Sequence, residues 1–404
     1  MSDSESELPQ PREPGRTHPG AGSRVTPRRP LRVAILHNLK SNAPPDGDRP
    51  ADALEELDIE SNIAAYTAAL ATRGHQVVAL DGNAGLPAVL RRKRIDISFN
   101  TCEGYRGDSR EAQVPALLEM CGVPYTGGKV MCLANTLDKV ATKHILISAG
   151  VATPGFQEFL DPDNRLDSRL HFPLFVKPIR EGTGIGIDAG SVVRTERALR
   201  ERVAWLLRAY RQNVIAEEFV PGEDVTCGLV GNLSPRAAGD AVPSLAGLPL
   251  TAGGGLDYDG VHLFPISQIN HSAIPDMDPY YSHAVKALPL DEYPYTCPAP
   301  LSAQLTAEIM RLTIETFRVT RCLDFGRVDF RLHRDENLRP YVIEINALPG
   351  LAPISDLVLC AAAEGWSYAD LLNGVLEAGL RRYGMDAFLP REAMKIGTLV
   401  TAAS

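Results

Sequence analysis

Two short stretches near the C-terminal end, Arg327-Val-Asp329-Phe330 and Glu344-Ile-Asn346, restrict the fold of this chain more than any other feature. In each, a charged or amide side chain returns after one apolar residue. That is the two-residue period of a strand, which sends alternate side chains to the same face. Arg327 and Asp329 therefore share a side, as do Glu344 and Asn346, while the apolar Val328, Phe330, Ile343 and Ile345 face the other way. Pairing the two strands gathers two carboxylates and an amide oxygen, hard donors suited to magnesium with room left for phosphate and water. Arg327 beside them suits a carboxylate or a developing oxyanion. A solvated charged face would look the same on either strand alone, but both strands together, with Leu348-Pro-Gly350 following, favour a site.

The rest of the chain must supply a body for those strands. With 404 residues and 44% hydrophobic content it is long enough for two or three domains with cores. A net charge of −9, with no Lys/Arg block in the folded part, argues against a nucleic-acid surface. No apolar run is long enough to span a membrane. Residues 1–30, rich in Pro, Gly, Ser and Arg, lack the apolar stretch of a signal peptide and read as a disordered leader, so a cytoplasmic location is expected. Seven scattered cysteines without a C-x-x-C pair argue against a disulfide framework or a structural zinc site.

From Leu31 the pattern alternates. Arg32 to Leu36, Gln76 to Leu80 and Ile95 to Asn100 read as strands, and Ile59 to Thr72 and Ala112 to Met120 as helices, which indicates a parallel sheet with covered faces over residues 31–128. A second unit, 129–220, opens with a helix over Leu133 to Ala149, followed by strand-like pieces at Leu174 to Lys177, Ile185 to Val192 and Val214 to Glu218. A third, 221–385, holds the Pro- and Gly-rich run Arg236 to Pro300, then a helix (Ala303 to Cys322), the strand pair and a helix (Ser367 to Leu380). Residues 386–404 form a tail.

Other segments carry weaker signals. Lys177-Pro178 precedes the glycine loop Glu181-Gly-Thr-Gly-Ile-Gly186; a lysine and glycine-exposed amides suit a phosphate. The loop is not a dinucleotide-fold fingerprint, because a β-like run follows it instead of a helix; a plain hairpin turn is the alternative. Lys139 lies near a helix start, with Lys143 one turn later, a placement common for surface lysines. Glu217-Glu-Phe-Val220 with Gly222-Glu-Asp224 offers backbone groups to a base and a carboxylate to a ribose, or else is an interdomain linker.

Taken in order, Leu137-Asp-Lys139, Val176-Lys177-Pro178, the glycine loop, Glu217-Glu-Phe219, Arg327-Val-Asp329-Phe330 and Glu344-Ile-Asn346-Ala-Leu-Pro-Gly350 resemble the D-alanine–D-alanine ligases. Gly122-Val-Pro-Tyr-Thr-Gly127, Gly150-Val-Ala-Thr-Pro154 and Cys297-Pro-Ala299 extend the likeness over roughly residues 31–382. The resemblance implies an α/β and α+β protein: an ATP-grasp fold behind an N-terminal parallel-sheet domain, with ATP and Mg2+ as cofactors and a homodimer as the assembly. It assigns Lys139 and Lys177 to ATP phosphates, the loop residues Glu181, Gly182, Thr183 and Gly184 to the nucleotide, and Glu217, Glu218, Phe219 and Val220 to the adenine pocket. Asp224 takes the ribose position, and Lys286 sits in a covering loop, within Arg236 to Pro300, that closes on the γ-phosphate. Asp329, Glu344 and Asn346 hold magnesium. Arg327, the Gly350 amide and Ser355 contact the acceptor carboxylate and the oxyanion, Glu60 grips the amino group of the first substrate, and Thr183 stands at the loop's catalytic position. The implied reaction joins a carboxylate to an amine through an acyl phosphate, with amino acids or peptides as substrates.

This chain departs from that family at several points. Thr183 replaces a loop serine, Ala287 a tyrosine beside Lys286, Cys102-Glu-Gly-Tyr105 a histidine–glycine motif, Ile354 a histidine before Ser355, and Asp224 a glutamate one carbon longer. The groups expected around ATP and magnesium persist while those around both amino acids change. The expectation is therefore a ligase acting on amino acids other than two D-alanines. An ordinary cell-wall D-alanine–D-alanine ligase, an intramolecular cyclising ligase and a non-catalytic ATP-binding protein stay open as alternatives.

Overall fold

Arg32 to His37 is apolar enough to be covered on both faces, and it becomes the central strand of a three-stranded parallel sheet. The computed structural model describes residues 30–45, 50–235, 240–270 and 295–389. Lys286, residues 1–29 and the tail from residue 390 lie outside them.

The first unit runs β1 (Arg32–His37), α1 (Glu60–Ala71), β2 (Gln76–Asp81), α2 (Leu86–Lys93), β3 (Ile97–Asn100) and α3 (Arg110–Cys121). Its strand order is β2-β1-β3, with Val33 level with both Val77 and Ile97. Helix α1 buries Ile63, Tyr66, Ala69 and Leu70, the stripe that its periodicity prescribes.

The second unit holds α4 (Val130–Leu137), α5 (Lys139–Ser148), β4 (Phe156–Phe159), β5 (Leu174–Pro178), β6 (Val192–Val193), α6 (Glu196–Tyr210) and β7 (Val214–Glu218), with antiparallel order β4-β7-β5-β6. Two expectations change here. The single helix over Leu133 to Ala149 is two helices, because Asp138 adopts an extended conformation and its Oδ1 accepts the Ala141 amide at 3.0 Å. That N-cap makes Lys139 the first residue of a new helix. The strand expected over Ile185 to Val192 shrinks to the two residues of β6. Ahead of it Thr183, Gly184 and Gly186 have φ of 52°, 78° and 73°, left-handed values that fold residues 182–187 into successive turns.

The third unit is built on β8 (Gly222–Gly231). After it come β9 (Leu256–Tyr258), β10 (Val261–Leu263), β11 (Ser267–Ile269), β12 (Tyr295–Thr296), α7 (Ala303–Val319), β13 (Asp324–His333), β14 (Arg339–Asn346), α8 (Asp356–Ala363) and α9 (Tyr368–Arg382). Antiparallel β13 lines one edge of β8 over its whole length, β11 and β10 line the other, and β14 pairs with β13. The main core runs through this sheet, α7 and α9 into the first unit.

Asp324 fastens the first unit to the third. Fully buried, it accepts the Gly127 amide at 2.9 Å and ion-pairs with Arg382 at 2.7 Å, while Arg382 also donates to the Tyr125 carbonyl at 2.7 Å. Asn373 on α9 donates to the Ala69 carbonyl of α1 at 2.9 Å. These contacts set the first unit over the N-terminal end of β13 and the C-terminal end of β14, which lie side by side in the antiparallel pair.

Candidate active site

Register decides the geometry at β13 and β14. Arg327 stands opposite Asn346 and Asp329 opposite Glu344, so all four polar residues share one face. Just past them the register shifts: Phe330 pairs with Val342, and Ile343 is left over as a bulge. Phe330 and Ile343 consequently join Asp329 and Glu344 along one cavity instead of facing away from them.

Asp329 is held firmly. Arg327 forks its carboxylate with Nε and Nη2 at 2.9 Å each, the Asn346 amide nitrogen donates to Oδ2 at 2.9 Å, and the Thr226 hydroxyl donates to Oδ1. The third Arg327 nitrogen reaches Asp356 at 3.1 Å. With its nitrogen committed, the Asn346 amide points its oxygen elsewhere. Two level carboxylates and that oxygen fit a hard divalent cation by donor chemistry.

The cavity beside this face lies between the second and third units. Its apolar wall includes Phe175, Ile187, Phe219, Val220, Phe330 and Ile343. Phe219 lies nearly parallel to Phe175, with centroids 6.4 Å apart and 19° between planes, and the Arg331 guanidinium sits 5.1 Å from the Phe219 centroid. This slot is flat and aromatic, as a purine needs. Asp224, also on the wall, accepts from Arg331 at 2.9 Å, and Glu218 at the rim is tied to His171 at 3.0 Å.

Lysines line the other end. Glu217, only 3% exposed, lies between Lys143 and Lys177 with an ammonium 2.9 Å from each of its oxygens. Burial pushes the Glu217 carboxyl up, but the two ammoniums outweigh it and hold it below its ordinary value. Lys143, buried and bonded to Thr153 at 2.6 Å, is pushed down by burial despite Glu217. Lys139 stands 2.6 Å from the Glu181 carbonyl and 3.3 Å from Glu344. Burial lowers it, yet Glu344 and Glu56 outweigh that and keep it above the usual lysine value.

A second cavity, of 330 Å³, opens between the first and third units. One wall carries Arg327, Asn346, Gly350, Ser355 and Thr183; Ser355 is the N-cap residue of α8, with its Oγ against Gly350. The opposite wall is acidic: Glu55, Glu56, Asp58, Glu103 and Glu111. The two cavities meet at Lys139, Glu181, Gly182, Glu344 and Asp356, which line both.

Comparison with known proteins resolves what such a joint belongs to. A family profile described as "D-ala D-ala ligase C-terminus" matches residues 145–242 and 260–377. A D-alanine–D-alanine ligase of Cupriavidus necator is 31% identical over 314 residues, 77% of this chain and 84% of that protein. The chain belongs to the D-alanine–D-alanine ligase-like family of ATP-grasp enzymes. An uncharacterized Sinorhizobium fredii protein, y4sG, is 32% identical over 324 residues, 78% of this ligase and 86% of that protein. The crystal structure of the Bacillus anthracis D-alanine–D-alanine ligase complexed with ATP shares the fold, with TM-score 0.62 and 21% identity over 88% of this ligase and 99% of that chain.

Most residues singled out in the sequence of this ligase gather at the two cavities: Lys139, Lys177, Glu181, Gly182, Gly184, Glu217, Glu218, Phe219, Val220, Asp224, Asp329 and Glu344 around the aromatic one, Thr183, Arg327, Asn346, Gly350 and Ser355 around the other. Glu60 does not join them. It is exposed at the start of α1, where its carboxylate accepts the Ser41 hydroxyl at 2.7 Å. The acid that faces the cavity is Asp58, two residues earlier, held by Tyr66 at 3.0 Å, Asn62 at 3.2 Å and Thr101 at 3.1 Å. Lys286 lies outside the described residues. Glycine-loop amides are engaged by first-unit carboxylates, Gly182 by Glu56 and Gly186 by Asp52 at 2.9 Å.

Several participants escaped the sequence reading. Asp356 and Thr226 brace Arg327 and Asp329, Lys143 is a buried partner of Glu217 and not a surface lysine, and Arg110 bridges Glu56 at 2.6 Å and Glu181 at 3.1 Å. Lys143 alone left a trace, its one-turn spacing from Lys139. All seven cysteines are free thiols, and no described helix is long and apolar enough to cross a membrane.

Proposed function

We propose that this ligase forms an amide bond between amino acids, or an amino acid and a peptide, other than two D-alanines, with ATP as the driving reactant. One observation carries the reading: an aromatic, lysine-ended cavity and a polar cavity with an acidic wall meet at Lys139, Glu181, Gly182, Glu344 and Asp356. Adenine in the Phe175–Phe219 slot puts the phosphates of ATP toward Lys177 and Lys139. Asp329, Glu344 and Asn346 would hold Mg2+, which supplies charge neutralisation on the phosphates.

An oxygen of the donor carboxylate attacks the γ-phosphorus, and ADP leaves. Lys139 and Lys177 offset charge on the transferring group, the main requirement of phosphoryl transfer. The acceptor amine then attacks the acyl carbon, loses a proton, and phosphate departs. Arg327, fixed by Asp329 and Asp356, holds the acceptor carboxylate or the tetrahedral oxyanion, assisted by the Gly350 amide and Ser355. Asp58 takes the α-ammonium of the donor, the part that sequence had assigned to Glu60. Acyl phosphates hydrolyse readily, so the cavity must close during turnover.

The changed residues around both amino acids support substrates other than D-alanine. Family resemblance alone extends the reading to a cytoplasmic homodimer. A phosphate-release screen over pairs of amino acids, with ATP and magnesium, tests it: the reading expects release that needs both partners and little from D-alanine alone. Turnover of D-alanine alone at about 1–10³ per second, the ordinary range of kcat, would refute the substrate claim.

A further inference from the structure

We propose that the donor cavity of this ligase takes an amino acid with a cationic side chain, a diamino or guanidino acid, whose charged end lies against Glu103 and Glu111. The inference rests on the ligase reading and names its substrate class.

The charges around the cavity do not balance. Glu55 pairs with Lys40 at 2.8 Å, Glu56 and Glu181 share Arg110, Glu344 pairs with Lys139, and Asp356 with Arg327. Asp58, with three neutral donors on its oxygens, is built to receive one ammonium, the α-amine of any amino acid. Glu103 and Glu111 remain. Among the described residues neither makes a hydrogen bond or an ion pair, and the cations that act on them, Arg110 on both and Lys139 on Glu111, are paired with other carboxylates.

Their placement is built into the backbone. Gly104 has φ of 76° and packs so closely on the Arg110 carbonyl that a Cβ there would lie 2.5 Å from its oxygen. Only glycine fits, and this contact brings residue 103 beside residues 110 and 111 on the cavity wall. Partly buried on the cavity wall, both carboxyls are driven up by burial first, Glu103 next by Glu111 and Glu56, and Glu111 next by Glu56, to about 8 even against Arg110 and Lys139. A cation placed here draws these carboxyls into their ionised form, which a neutral side chain does not.

The occupant that this layout fits is an organic cation. Among the described residues no three carboxylate, imidazole or thiol side chains come together as metal ligands would. The acids are instead spread along one wall, facing the carboxylate-binding groups Arg327, Gly350 and Ser355 across the cavity. That layout matches an extended molecule with cationic groups at one side and a carboxyl at the other.

The test compares lysine, ornithine and arginine with their neutral counterparts norleucine, norvaline and citrulline, both enantiomers of each, by ATP- and magnesium-dependent ADP formation in the full-length enzyme. The cationic members are expected to show kcat/KM roughly 10–100-fold higher, the range for a desolvated charge pair. Glu103→Gln and Glu111→Gln should each shrink that ratio about tenfold or more, a readout that loss of folded protein does not move. Equal or better use of the neutral set overturns this inference and leaves the ligase reading standing. ADP formation dependent on none of these acids overturns the inference, and the screen over amino-acid pairs then decides the ligase reading separately.

Discussion

Glu217 is the residue whose loss has the most calculable effect. It is buried between two ammoniums at 2.9 Å, and Glu217→Gln removes the charge while keeping the shape, so Lys143 and Lys177 are left facing each other across a neutral amide. Removing one member of a buried ion pair costs about 3–5 kcal/mol. Lys143 keeps Thr153 and Lys177 keeps its contact with the Phe175 ring at 5.7 Å, which places the loss in the lower half, about 3–4 kcal/mol. At about 2–4 °C per kcal/mol for a cooperative unit of 150–250 residues, the melting midpoint falls by about 10 °C. Because Glu217 is held below 4.5, its contribution is present above that value and lost as pH falls through its lower folded one, so the variant also loses part of the parent's acid-side stability slope. The assay is thermal unfolding at several pH values, with Lys143→Met added to Glu217→Gln as a check. The double variant recovers more than half of the loss, since one stranded charge has gone. A single variant melting within about 2 °C of the parent would refute the reasoning.

Three further outcomes follow from the site. Arg327→Lys keeps a charge but loses the fork to Asp329 and the reach to Asp356, so kcat falls about 10²–10³-fold with a smaller change in nucleotide KM, by steady-state kinetics. Asp58→Asn lowers kcat/KM for the donor at least about tenfold more than Glu60→Gln does, because only Asp58 faces the cavity; the reverse order would restore Glu60 to the site. Glu111, facing Glu56, Glu103, Glu181, Arg110 and Lys139, is raised to about 8, so its stabilising contribution is complete below about 4.5 and is lost as pH rises through 8. Unliganded enzyme therefore loses stability over that window and Glu111→Gln flattens the loss, while the affinity for a cationic donor rises with pH up to about 8.

Much of this site is written locally in the chain. The two-residue period of Arg327-Val-Asp329 and Glu344-Ile-Asn346 already implies a shared face, and the observed register pairs those residues directly. What the period cannot show is the bulge at Ile343, since an extra residue between strands leaves no mark in a run of apolar side chains. The break at Asp138 was hidden for a related reason: apolar spacing continues across it, and only the capping bond to Ala141 interrupts the helix. Lys143 read as a surface lysine because its partner Glu217 lies 74 positions away, on β7, an inner strand of the second unit's sheet. The acidic wall draws on residues 55–58 and 103–111, far apart and without common pattern, and only the docking of the first unit through Asp324 and Asn373 unites it with Arg327. Asp58 and not Glu60 lines the cavity, because in a loop-to-helix passage no period fixes which carboxylate turns inward.

The claim beneath all of this is that the donor carboxylate is activated by direct phosphorylation where the two cavities join. Turnover with donor labelled by ¹⁸O in its carboxylate, followed by mass spectrometry of the released phosphate, tests it most directly. The account predicts one labelled oxygen carried from carboxylate to phosphate in each turnover. Phosphate released without label, alongside amide product, would contradict it.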